Sequence, residues 1–298
     1  MKTLLLTTAF WAALLAAPQT QAAPTHKVDF DASWTRPVKP FNIAGNVYYV
    51  GTEGLSAYLI VAGKQAILLD GTLAQNAPLI ERNIEALGFR LSDVKVIVNS
   101  HAHLDHAGAI ARLKHDTGAQ FYASAGDRWA LERGMHDGET DYPRGHFPAV
   151  AVDHVLRDGE VIRLGGVRMT ATLTPGHTRG CTTWSTQVIV PQNVLDVVFP
   201  CSLTVAGNIL VRNRAYPNIV ADYRHSFTVL DKMKADIVLT NHPDVADVMG
   251  REQRKMAGDK TAFIDPTLLH RIVASSRTDF EAQLSAAEGP KKPAGSKS

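Results

Sequence analysis

Three histidines and one aspartate stand within six residues, where the chain reads His101-Ala102-His103-Leu104-Asp105-His106. Polar groups of this kind are costly to bury unpaired, so a cluster this dense needs a chemical reason. Imidazole nitrogen and carboxylate oxygen are good ligands for zinc, which takes three or four of them. In extended chain, residues two apart point the same way, so His101 and His103 can grip one ion. Asp105 and His106 fall where the chain turns into a helix, and they can face a second ion. One local cluster does not close two sites, so ligands from elsewhere are required. His177, in Thr174-Pro175-Gly176-His177, and His242, in Asn241-His242-Pro243, each follow a strand end, where sites are commonly built. Of the 12 histidines, His26, His136, His146, His154, His225 and His270 read as ordinary surface or helix residues, and His115 lies on a charged helix face.

These residues need elements to carry them. Residues 47–50 (VYYV), 57–61 (AYLIV) and 66–69 (AILL) read as strands separated by glycine-containing turns. Residues 76–87 read as a helix, with Ile80, Ile84 and Leu87 at helical spacing. The run 94–98 (VKVIV) is a fully buried strand ending just before the histidine cluster, and 106–117 a helix rich in Ala and Leu. A short strand at 120–123 and a helix at 125–133 follow, and 138–147 has the composition of a loop. Strands return at 160–164, 167–173, 182–190 and 193–199, then a helix at 221–233, a strand at 236–240 and a closing helix at 266–287. Sheet hairpins plus helix, repeated, suit two sheets packed face to face with helices outside: an α/β protein of αββα sandwich type.

Lys2 followed by an apolar run and small residues up to Ala22 has the form of an export signal. Residues 1–22 are therefore expected to be removed, leaving a domain over 23–288 and a disordered tail over 289–298 (GPKKPAGSKS). That places the working protein in the periplasm, off the membrane, because the leading run is too short to span one. A net charge of +2 without a basic stripe gives no reason to expect a nucleic-acid partner. The chain's two cysteines, Cys181 and Cys201, then form a candidate disulfide, since one begins a strand and the other ends the next.

The HxHxDH pattern at 101–106 resembles the metallo-β-lactamase superfamily, and the resemblance runs from the GNVYYVGTEG segment at Gly45 to the triplet at Asn241. It implies that His101, His103 and His177 hold a first zinc, and that Asp105, His106 and His242 hold a second. Asp70, in LLDGT, would brace the metal loop. The Asp-His-His second site and the stretch 174–184 (TPGHTRGCTTW) are similar to the third subclass of class B β-lactamases, although Arg179 and Asn241 stand where prolines are common. Thioesterases and lactonases of this fold place a bridging aspartate after the strand at 193–199; here Ser202 stands at that place, as in the third subclass. Read one residue out of register, Cys201 would stand there as a ligand instead.

The resemblance implies hydrolysis of the β-lactam amide by a hydroxide shared between two Zn2+, without a covalent enzyme intermediate. Asp105 would orient the hydroxide and move a proton, and Ser202 and Thr204 would hydrogen-bond the substrate carboxylate. Neither a GxSxG elbow nor a convincing SxxK is present, so a serine nucleophile is not expected. The expected partner is a small β-lactam, met by a monomer. The alternatives are a lactonase or thioesterase of the same fold, or a periplasmic zinc-binding protein without catalysis.

Overall fold

A computed structural model describes residues 31–140 and 145–289. Residues 1–22, expected to be an export signal, and the expected tail beyond Gly289 lie outside the described residues. Seven strands form one sheet in the order β1 to β7: β1 (Phe41–Ala44), β2 (Val47–Tyr49), β3 (Tyr58–Ala62), β4 (Gln65–Leu69), β5 (Val94–Val98), β6 (Gln120–Ser124) and β7 (His154–Leu156). The second sheet runs β12-β11-β10-β9-β8, from β8 (Val161–Leu164), β9 (Val167–Leu173), β10 (Thr182–Val190), β11 (Asn193–Phe199) and β12 (Ile237–Val238). The helices are α1 (Ala77–Ala86), α2 (Leu104–Ala107), α3 (Ile110–Thr117), α4 (Ala125–Arg133), α5 (Ile219–Leu230), α6 (Val248–Met256) and α7 (Leu268–Glu288).

The near-continuous apolar runs of the first sheet follow from burial on both faces. Ile60, Ile67 and Val98 join Met169, Trp184 and Val197 in the core between the sheets, which extends to Phe227 of α5 and Phe280 of α7. Their strand neighbours Leu59, Leu68 and Ile97 point the other way, against Ile80, Ile84 and Leu113 of α1 and α3. Strands β4, β5 and β6 pair in parallel, so their carboxyl ends gather at one edge of the sandwich. The carboxyl ends of β9, β11 and β12 reach the same edge, because Thr182 donates to the Ser100 carbonyl at 2.8 Å and Trp184 Nε1 to the Asn99 carbonyl at 2.9 Å.

The expected helix at 106–117 is instead two helices, α2 and α3. Gly108 lies at the break. A Cβ there would stand 2.4 Å from the Leu104 carbonyl and 2.6 Å from the Ala74 amide, so this turn packs directly on the loop after β4. The strand expected at 236–240 shrinks to the two residues of β12, although Leu239 still donates to Val198. Strands β1 and β7 and helix α6 carry too weak an apolar pattern to announce themselves; α6 buries only Val248 and Arg251.

Candidate metal centre

The six expected ligands all arrive at this edge. His101 and His103 lie in the extended segment beyond β5, Asp105 and His106 in α2, His177 beyond β9 and His242 beyond β12. His101, His103, Asp105, His106 and His177 are buried, and His242 is partly exposed. They form two groups, His101/His103/His177 and Asp105/His106/His242, each with its donor atoms within 4.8 Å of one another. Among the described residues, neither group includes a carboxylate shared with the other.

Ring nitrogens and hydrogen bonds test whether the first group fits a cation. His177 donates from Nδ1 to the Thr204 carbonyl at 2.7 Å, which leaves the lone pair on Nε2. That Nε2 lies 3.1 Å from His101 Nε2 and 3.0 Å from His103 Nδ1. His101 turns its other nitrogen to Ser100 Oγ at 3.0 Å; Ser100 in turn donates to Asp70 at 2.8 Å. Burial holds His101 and His103 well below the usual histidine range and His177 down to about 4. Neutral imidazoles with lone pairs converging in a buried pocket repel one another unless a cation takes them up, so the donor set fits a metal.

The second group fits as well. Asp105 Oδ2 is 3.2 Å from His106 Nε2 and 3.3 Å from His242 Nε2, while Asp105 Oδ1 is buried without a hydrogen-bond partner. Burial raises this carboxyl, but His106 and His242 outweigh it and hold the group well below its usual range. A buried anion with an open oxygen is unfavourable alone and well placed beside a cation. The ring of Trp34 lies 5.6 Å from that of His242, and Tyr58 fastens the preceding strand by donating to the Thr240 carbonyl at 2.7 Å.

Asp70 takes the bracing place expected of it. It accepts from the Ser100 amide at 2.6 Å and the Ser100 hydroxyl, and its Oδ2 is 3.9 Å from His106 Nδ1. Its backbone is left-handed, at φ 65, a conformation that costs energy and persists where surroundings dictate it. A second brace was missed. Asp127 in α4 is buried and accepts from the Ala102 amide at 2.8 Å, the Gly180 amide at 2.9 Å and the Thr178 hydroxyl at 3.0 Å. It ties the loop of His101 and His103 to the loop of His177. Gly180 permits this approach, since a Cβ there would stand 2.3 Å from the Asp127 amide. Burial pushes the Asp127 carboxyl up to about 6 against the pull of these three bonds. Asp127→Ala should strand two buried amides and cost about 3 kcal/mol, read as a lower urea midpoint with unchanged slope.

His136, read from sequence as an ordinary residue, also belongs here: its Nδ1 lies 2.9 Å from His103 Nε2. Ser202 and Thr204 stand together, their hydroxyls 3.5 Å apart, on a cleft of about 270 Å³ that His242, Val245 and Ile272 also line.

The structure joins Cys181 to Cys201, with Cα atoms 5.8 Å apart, across the start of β10 and the end of β11. The bond closes a separation of 20 residues, for which chain entropy gives about 3 kcal/mol of stabilisation. Thiol titration of native protein unfolded in denaturant with chelator and no reductant should find no free thiol. Two free thiols would return Cys201 to consideration as a ligand.

Residues 50–242 match the family described as the metallo-beta-lactamase superfamily. The chain is similar to a subclass B3 metallo-beta-lactamase of Bradyrhizobium japonicum, at 39% identity and TM-score 0.82, covering 86% of this chain and 97% of that one. It is similar to a metallo-beta-lactamase from Legionella gormanii, at 38% identity and TM-score 0.82, covering 86% and 99%. A third, from Cronobacter sakazakii, is 43% identical with TM-score 0.81 over 86% and 98%, and is described by an HARLDQ motif. Curated relatives match over shorter stretches. An uncharacterized protein of Aquifex aeolicus is 34% identical over 34% of this chain and 46% of its own length. A hydroxyacylglutathione hydrolase of Methylococcus capsulatus is 33% identical over 35% of this chain and 32% of its own length. The chain thus spans half or less of these curated relatives.

Proposed function

The chain belongs to the metallo-β-lactamase superfamily and is a metal-dependent hydrolase, and from that premise we propose that it opens the amide bond of β-lactam rings with two zinc ions. The observation that carries this reading is the pair of donor groups. An all-histidine triad stands beside an Asp-His-His triad, with no carboxylate shared between them among the described residues, and by the sequence resemblance Ser202 would stand where thioesterases of the fold bring a bridging aspartate. Similarity to subclass B3 β-lactamases over nearly their whole length supports the same substrate class.

His101, His103 and His177 would hold one ion, and Asp105, His106 and His242 the other. Bound there, zinc supplies Lewis acidity and brings the pKa of a coordinated water to about 7. Asp105 Oδ1 is the open, buried acceptor that can orient the attacking water, take its proton and pass it to the departing amide nitrogen. The hydroxyls of Ser202 and Thr204, 3.5 Å apart in the cleft that His242 also lines, would bind the carboxylate that β-lactams carry. The Thr204 carbonyl meanwhile holds His177, which links substrate contact to ligand position.

No side chain is acylated on this route. Inhibitors that acylate serine enzymes should leave turnover unchanged, and intact-protein mass spectrometry during turnover should find no adduct; stoichiometric inactivation by an acylator would overturn the mechanism. The working unit is proposed to be a periplasmic monomer comprising 23–288, a reading supported by the signal-like composition of residues 1–22. Among the described residues no helix is long and apolar enough to cross a membrane.

A further inference from the structure

We propose that His136 is a positioning residue for the first metal, selecting the tautomer of His103 that can coordinate; the proposal rests on the reading of His103 as a ligand. Residue His103 presents Nδ1 to His101 and His177, and its other nitrogen, Nε2, lies 2.9 Å from His136 Nδ1. A neutral imidazole carries its proton on one nitrogen only. Coordination through Nδ1 therefore requires the proton on Nε2, donated to His136 Nδ1, and the proton of His136 on its own Nε2. The opposite arrangement puts a proton on His103 Nδ1, where the metal must bind.

The chain that follows His136 is anchored, which keeps its ring beside His103. The neighbouring Asp137 pairs with Arg179 at 3.2 Å, and Arg179 lies over the Tyr216 ring at 4.8 Å. Two residues on, Glu139 accepts from the Arg214 and Ala215 amides at 3.2 Å each, and its carbonyl accepts from the Ile209 amide at 3.2 Å. Arg179, the residue standing where a proline is common, thus fastens the loop that carries His136. Metal-bound histidines generally need a partner for the second nitrogen, most often a carboxylate or carbonyl. Here the partner is a second imidazole, which can orient His103 through its Nδ1 without adding a carboxylate to the site.

The test is zinc affinity measured by competition with a chromophoric chelator, alongside the ligand-field spectrum of the cobalt-substituted protein. H136A should weaken the first site by about 10- to 100-fold and change the cobalt spectrum, with the second site unaffected. H136N places an acceptor oxygen close to the position of Nδ1 and should recover most of the affinity. R179Q, which loosens the loop that carries His136 but keeps the acceptor, should weaken the first site in the same direction and by less than H136A does. Wild-type affinity and spectrum in H136A, or H136N as impaired as H136A, would overturn the proposal. A variant that does not fold leaves a second route: nitrogen-15 shifts of the wild-type, zinc-loaded imidazoles should place protons on Nε2 of both His103 and His136, and a proton on His136 Nδ1 refutes it. H103A, run in parallel, separates the two levels. Unchanged first-site occupancy there removes the ligand reading and this proposal with it, whereas loss in H103A with none in H136A removes this proposal alone.

Discussion

Stripping the metal with a chelator is expected to lower β-lactam turnover by about a thousandfold or more, and added zinc to restore it. Zinc contributes several kcal/mol to the transition state, and each 1.36 kcal/mol is a factor of ten in rate. Nothing in the described chain replaces that contribution. The groups at the reaction centre are imidazoles and one carboxylate, and burial holds His101, His103 and His177 below the usual histidine range, which disfavours them as acids. Chelator-treated protein that retains turnover within tenfold of the zinc-loaded form would place the chemistry elsewhere. The fold should survive treatment largely intact, because the cores on either side of the first sheet do not depend on the metal ligands.

Asp105→Asn should lower kcat by about a thousandfold, close to 4 kcal/mol, while the protein keeps one zinc. The carboxylate is the only anion of the Asp105/His106/His242 group, and its Oδ2 lies between the two imidazoles at 3.2 and 3.3 Å. The amide keeps the shape and loses the charge that balances a dication. It also loses Oδ1 as a proton acceptor, so binding and proton transfer fail together. His101, His103 and His177 are untouched, so metal analysis should fall from two ions per chain to one. His101→Ala should give the converse pattern, weakening the first site and sparing the second. Two zinc ions in Asp105→Asn with kcat within tenfold of wild type would refute the role assigned to Asp105.

The metal cluster was legible because its information is local: HAHLDH puts four donors into six residues. His177 and His242 were legible as candidates because each follows a strand end, β9 and β12 of the second sheet, and those ends reach the same edge as the ends of β4, β5 and β6. Strands buried on both faces also read clearly, and β5, β9, β10 and β11 have the expected bounds. What the sequence hid depends on tertiary proximity. Asp127 sits in the first turn of α4, where an acidic residue is ordinary helix composition. Only the fold carries it to Ala102 and Gly180. His136 occupies a loop with little periodicity, 33 residues from the ligand it touches. The break between α2 and α3 was hidden because Gly108 is forced by backbone packing against the loop after β4, which no pattern of apolar residues reports.

The most direct measurement of the central claim is the kcat/KM of zinc-loaded protein for nitrocefin against a hydroxyacylglutathione thioester, each with a chelated control. Metal-dependent ring opening is expected at about 10⁴ M⁻¹s⁻¹ or above, within the ordinary range of enzymes, with the thioester at least about a hundredfold slower. Metal-dependent cleavage of the thioester with no opening of the β-lactam would contradict it and assign the site to the thioesterase branch of the fold.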